Sequence, residues 1–137
     1  MNKIFKIKLL TILFSIILTN TFSQSITTEI AQYCDYDTTL DLWKDCTMDY
    51  NHTSLFVINE QETMITHITI DNKSTYYITD KTVEFNEKKE KVWMYTVNSD
   101  LGKQYIVKIN PIARTILCVY SVDNEIKGTT FTIKSIF

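Results

Sequence analysis

The chain has 137 residues, with 14 Lys and Arg against 16 Asp and Glu, and therefore a formal net charge of −2. It has only two Gly and one Pro. Because P-loops and dinucleotide-binding fingerprints need several glycines at fixed spacing, this composition excludes nucleotide-dependent chemistry on those scaffolds.

Residues 1–23 have the pattern of a secretory signal peptide. Three lysines precede an apolar run at residues 9–18, and the small residues Thr21 and Ser23 occupy the −3 and −1 positions of a cleavage site. A run of this length is shorter than the roughly 20 apolar residues of a spanning helix, so no transmembrane anchor is expected after cleavage. The sequence therefore predicts an exported protein, periplasmic or secreted, whose residues 24–137 form one folded unit. With three lysines removed, its net charge of −5 predicts no binding to nucleic acid.

Residues 24–52 are polar and acidic, and they predict an irregular N-terminal segment. Leu40 and Trp43 are three positions apart, as on one face of a helix, and Asp37 or Thr38 is a suitable N-cap. We therefore expect one short helix near residues 38–46.

The chain has three cysteines, Cys34, Cys46 and Cys118. Export permits a disulfide, and Cys34 and Cys46, twelve positions apart, are the predicted pair. The alternative is that both remain thiols. Cys118 lies in an apolar stretch and is predicted to be a small buried hydrophobic residue.

Residues 53–137 have the composition and spacing of an antiparallel β domain. Of the 114 residues after position 23, 52 are Ile, Val, Thr, Tyr, Phe or Trp, the types that favour strands. Seven strands joined by short polar links are predicted, at residues 54–58, 63–70, 74–85, 92–97, 104–109, 115–122 and 129–137. Because such links are too short for parallel crossovers, the fold class is all-β, a single antiparallel meander of about seven strands. It is either an open barrel or sandwich-like.

No residues in the sequence form a known catalytic or metal-binding signature. A calcium loop that begins at Asp35 would need Gly at position 40 and Glu at position 46, where Leu40 and Cys46 stand. His52 and His67 are the only histidines, too few for a zinc site on their own, and His67 is expected to be half exposed on its strand. We therefore predict no enzyme activity, no metal and no cofactor.

Aromatic residues on the predicted strands are the candidate binding residues. Trp93, Tyr95, Tyr77 and Tyr105 belong to a larger aromatic set that also includes Tyr76 and Tyr120. Such rings provide contact area and hydrogen-bonding groups for a ligand, although core packing is the ordinary role of strand aromatics. The predicted function is a small exported non-catalytic module that binds an apolar or carbohydrate ligand on an aromatic sheet face. The alternative is an envelope protein-interaction module, such as an assembly factor, inhibitor or immunity-type partner, that uses its acidic surface.

Overall fold

The computed structural model describes residues 24–137, so the predicted signal peptide, residues 1–23, lies outside the described residues. The described part of the chain forms nine strands and no helix, and hence no helix that could cross a membrane. The strands are β1 (Gln24–Asp37), β2 (Leu42–Asp49), β3 (Ser54–Ile58), β4 (Met64–Ile68), β5 (Lys73–Phe85), β6 (Lys91–Ser99), β7 (Gln104–Asn110), β8 (Thr115–Val122) and β9 (Glu125–Ile136).

All nine strands belong to one antiparallel sheet that closes on itself. Each strand from β3 to β8 pairs with the next along the chain, and β1 pairs with both β3 and β9. Eight strands thus form a closed barrel, and β2 extends the sheet beyond the edge of β1. The predicted all-β antiparallel meander is confirmed. It has nine strands instead of seven, and closure leaves fewer unpaired strand edges than an open sheet would.

The predicted helix near residues 38–46 is wrong, and the segment 24–52 is not irregular, because it contains β1 and β2. Residues 38–41 form a turn in which Asp37 Oδ1 accepts hydrogen bonds from the backbone N–H groups of Thr39 and Leu40, at 2.9 and 3.0 Å. Asp41 takes a left-handed φ of 55°, which ends any helical path. Asp37 therefore caps a tight turn between two strands, and the spacing of Leu40 and Trp43 is not helical.

The predicted disulfide between Cys34 and Cys46 is present, and it joins β1 to β2. In the chain-entropy account, closing a loop of this length contributes roughly 3 kcal/mol. Trp43 of β2 also lies over Gly128 of β9, where an added Cβ would come 2.6 Å from the indole ring. Since a larger residue at Gly128 would displace Trp43, the glycine allows β2 to contact the barrel. Cys118 is the free cysteine among the described residues.

The barrel has two ends that differ in their filling. At the filled end, where residues 59–63, 86–90 and 111–114 connect the strands, apolar side chains occupy the interior. The side chains that are almost completely buried there are Ile26, Ile58, Tyr95, Ile109, Ile116 and Ile133. At the opposite end, the cavity end, the connections are residues 50–53, 69–72, 100–103 and 123–124, and the interior is not filled.

Candidate functional site

A cavity of about 420 Å³ occupies the barrel interior at the cavity end. It is within the usual size range of small-molecule sites. Its wall is mainly aromatic, and the Phe and Tyr residues that line it are Tyr33, Phe56, Tyr76, Tyr105, Tyr120 and Phe131. They come from β1, β3, β5, β7, β8 and β9, so the site depends on closure of the whole barrel.

Alternation along the strands sets which side chains line the cavity. Tyr105 and Val107 of β7 are two residues apart, and so are Cys118 and Tyr120 of β8, so both pairs point inward. In β1 the register with β9 shifts between Thr28 and Ile30. Because such an irregularity reverses the alternation, Tyr33 also points into the barrel.

Three tyrosines form a row along one side of the cavity. The ring centroids of Tyr76 and Tyr105 are 5.2 Å apart, and those of Tyr105 and Tyr120 are 5.5 Å apart. Burial, followed by the neighbouring hydroxyl of Tyr105, raises the pKa of Tyr76. Tyr76 thus presents a neutral phenol group.

Two histidines also line the cavity, His67 from β4 and His52 from the connection between β2 and β3. The His67 ring stacks on Phe56 at a centroid distance of 4.1 Å and meets Phe131 edge-on at 5.2 Å. The His52 ring lies 5.3 Å from Phe131 and 6.4 Å from His67. His67 is partly buried, and closure of the barrel turns its face of β4 towards the cavity.

Both histidines carry a buried ring nitrogen without a hydrogen-bond partner. Three buried side-chain nitrogen or oxygen atoms in residues 24–137 are unpartnered, and two of them are His52 Nε2 and His67 Nε2. Burial, and to a smaller extent the His52 ring, lowers the pKa of His67 to about 4. His67 is therefore neutral near pH 7. A buried polar atom without a partner costs about 1–3 kcal/mol, so this arrangement is destabilising.

Cys118 contributes a thiol to the same wall. Burial raises its pKa to about 12, so the thiol stays protonated at neutral pH. Because the thiolate is the nucleophilic form, Cys118 is poorly suited to covalent chemistry. No group of three or more His, Cys, Asp or Glu side chains in residues 24–137 is arranged to hold a metal ion.

The structure does not bring the four predicted binding residues together. Tyr105 lines the cavity. Tyr77 is 51% exposed, and Tyr76 beside it lines the cavity, because neighbouring strand residues face opposite ways. Trp93 packs against the core, with Lys91 Nζ 4.8 Å from its ring centre.

Tyr95 belongs to the filled end instead of the cavity. Its hydroxyl donates to Glu62 Oε2 at 3.3 Å, and Lys81 Nζ lies 2.8 Å from the same oxygen. Burial, followed by the charge of Glu62, raises the pKa of Tyr95. Tyr95, Glu62 and Lys81 thus form a connected polar group at the filled end of the barrel.

Sequence reasoning missed most of the cavity wall, including His52, Phe56 and Phe131. His67 gave a signal, since it alternates with Ile65 and Thr69, which also line the cavity. Tyr33 gave none, because its orientation depends on the irregularity in β1.

No family model, curated protein or solved structure matches the chain.

Proposed function

We propose that this protein is a non-catalytic binding module that holds a small apolar or carbohydrate ligand in the cavity of its barrel. One observation carries the proposal: an aromatic cavity of about 420 Å³ coincides with two buried, unpartnered imidazole nitrogens, those of His52 and His67. Unfilled space costs stability, and so does an unpartnered buried polar atom. Both costs at one place are typical of a ligand site.

The proposed ligand site differs from the face suggested by the sequence. It keeps Tyr105 and adds Tyr76 and Tyr120, together with Phe56 and Phe131. The rings supply contact area and the hydroxyl groups supply hydrogen bonds, which is the combination that makes aromatic residues effective in binding.

We also propose that the protein acts after export, in the periplasm or outside the cell. The Cys34–Cys46 disulfide supports this location, since disulfides persist mainly in oxidising compartments.

Native mass spectrometry of the protein isolated from its host tests the proposed function. We expect extra mass that is released on denaturation. Replacing Cys118 with Leu adds volume to the cavity wall and should abolish the extra mass. Val119→Leu adds volume at the neighbouring position, which faces away from the cavity, and should retain it.

A bare wild-type mass, together with no binding of added apolar or sugar probes, would contradict the proposal. Circular dichroism of both variants separates loss of binding from loss of folding.

The exposed strand β2 favours a second function, a protein-interaction module of the cell envelope. Leu42, Trp43 and Met48 of β2 are exposed, and the outer edge of β2 has no strand partner in residues 24–137. Asp45 within β2 and Asp41 just before it add negative charge. This function predicts salt-sensitive co-purification of a basic envelope protein that is lost in the Asp41→Asn, Asp45→Asn variant. Recovery of the same amount of the basic protein with wild type and with the double variant would exclude this function.

A further inference from the structure

None of the fifteen residues that line the cavity wall is Lys, Arg, Asp or Glu. The carboxylate of Asp49 lies 3.9 Å from His52 Nδ1, but Asp49 is not part of the wall. Moving a charged group out of water without a partner costs several kcal/mol. The wall therefore disfavours carboxylates, phosphates and ammonium groups alike.

Three ionisable groups of the wall, His67, Cys118 and Tyr76, show the effect of this environment on charge. Burial lowers the pKa of His67 to about 4 and raises that of Cys118 to about 12. Burial also raises the pKa of Tyr76. In each case the neutral form is favoured, and a charged group on a ligand would experience the same loss of hydration.

The wall also has a polarity gradient with depth. Its floor is mainly apolar, because Phe56, Ile65, Val107 and Phe131 are at most 5% exposed, and the hydroxyl residue Thr129 and His67 Nε2 are the polar groups buried in the same wall. Its rim consists of Tyr33, Tyr76, Tyr105 and Tyr120, all of them more exposed than the floor. A ligand that matches this gradient has an apolar part to place on the floor and a polar group to place at the rim.

Three of the four rim tyrosine hydroxyls are available to form hydrogen bonds with a ligand. The hydroxyls of Tyr33, Tyr105 and Tyr120 make no hydrogen bond to another residue of the described chain. A phenol hydroxyl both donates and accepts, so these groups suit a neutral hydroxyl, carbonyl or amide.

We propose that the cavity selects an uncharged ligand with one apolar end, which lies on the floor, and a neutral hydrogen-bonding group, which lies among the rim tyrosines. This inference rests on the proposed function and narrows its ligand class. It excludes fatty-acid anions and phosphorylated compounds. It also disfavours free sugars, because hydroxyls all round the molecule would lose hydration against the apolar floor.

Isothermal titration of the disulfide-bonded protein with four probes tests this selection. The probes are naphthalene, naphthol, naphthoate with its carboxylate at the same ring position, and glucose. At neutral pH we expect naphthol to bind at least about tenfold more tightly than naphthoate or glucose, a difference of about 1.4 kcal/mol. Naphthol should also exceed naphthalene by about two- to tenfold, the usual contribution of one hydrogen bond.

Matched variants locate the polar group of the ligand. Tyr105→Phe removes a rim hydroxyl and should weaken naphthol binding while leaving naphthalene binding unchanged. Tyr77→Phe removes an outward hydroxyl and should change neither affinity.

The outcomes separate this inference from the proposed function. Naphthoate or glucose binding as tightly as naphthol would overturn the selection for uncharged, one-ended ligands and leave the binding function intact. If none of the four probes binds and the native mass is bare, both proposals fail.

Discussion

The filled end and the cavity end of the barrel are built from the same strands, but they treat buried polar groups differently. At the filled end, Glu62 contacts both the Tyr95 hydroxyl and Lys81. At the cavity end, His52 Nε2 and His67 Nε2 are buried and have no hydrogen-bond partner in the described part of the chain. Satisfied groups contribute modestly to stability, whereas unsatisfied ones cost about 1–3 kcal/mol. Buried polar groups therefore stabilise the filled end and destabilise the cavity end, where a ligand could supply the missing hydrogen-bond partners.

The largest expected effect is a loss of stability in acid, caused by the partly buried His67 at the cavity end. The pKa of His67 is about 4 in the folded protein against 6.5 as its ordinary value. As pH falls through this window, the unfolded chain binds a proton that the folded protein does not, so stability is lost. We expect a decrease of roughly 3 kcal/mol in the free energy of unfolding, measured by urea unfolding across that range.

The His67→Phe variant should lack most of this acid-dependent loss. His52→Phe should retain most of it, because burial is the larger cause of the His67 shift. The Asp37 carboxyl does not obscure the result. Backbone hydrogen bonds, chiefly from Leu40, and Lys44 lower its pKa below 3.8, so its contribution is lost only at more acidic pH. An equal acid response in wild type and His67→Phe would remove His67 as the cause.

Removing the acidic group of the filled end should have the next largest effect. Glu62→Ala leaves the Tyr95 hydroxyl buried without an acceptor and removes the partner of Lys81. Lys81 is partly exposed, so the ion pair adds less than a fully buried one would. We expect a loss of about 2 kcal/mol in urea unfolding. Glu60→Ala, an exposed change in the same loop, should cost less than about 0.5 kcal/mol. Equal effects of the two changes would mean that the filled end does not depend on this group.

A pair of tyrosine hydroxyls compares the two ends directly. Tyr95→Phe removes the donor to Glu62 and should cost about 1 kcal/mol. Tyr105→Phe removes a hydroxyl that has no hydrogen-bond partner among residues 24–137 and should cost less than about 0.5 kcal/mol. The melting temperatures of the two variants provide the measurement. An equal decrease in both would contradict the conclusion that only the filled end is stabilised by its tyrosine hydroxyl.

The fold was predictable where strands that follow one another in the sequence also pair with one another in the sheet. The strands from β3 to β9 follow from β-favouring residues and short polar links, which composition and spacing reveal. Closure was not predictable, because it depends on β1 pairing with β9, with register Ile26 to Ile136 at one end and Asp35 to Lys127 at the other. β2 was misread because Asp37 caps a turn as readily as a helix, and only pairing with β1 decides between them.

The candidate site was less predictable than the fold. The alternation of side chains along β5 and β7 places Tyr76 and Tyr105 on inward faces. It does not show which inward residues pack in the core and which line the cavity. Tyr95 is on an inward face too, yet Glu62 reaches it from a loop and completes the filled end. The pairing of Phe56 with His67 across β3 and β4 required the register itself.

The smallest expected change in the free energy of unfolding is a gain, whereas the preceding ones are losses. At neutral pH, His67→Phe removes a buried nitrogen that has no partner and keeps a ring to stack on Phe56. We therefore expect stability to stay unchanged or rise by up to about 1 kcal/mol in urea unfolding, although most core substitutions destabilise. Thr66→Val, on the outward face of the same strand, controls for a general gain in β propensity. A loss of more than about 1 kcal/mol would mean that His67 is already satisfied in the unliganded protein, and the cavity end would then need no ligand to complete it.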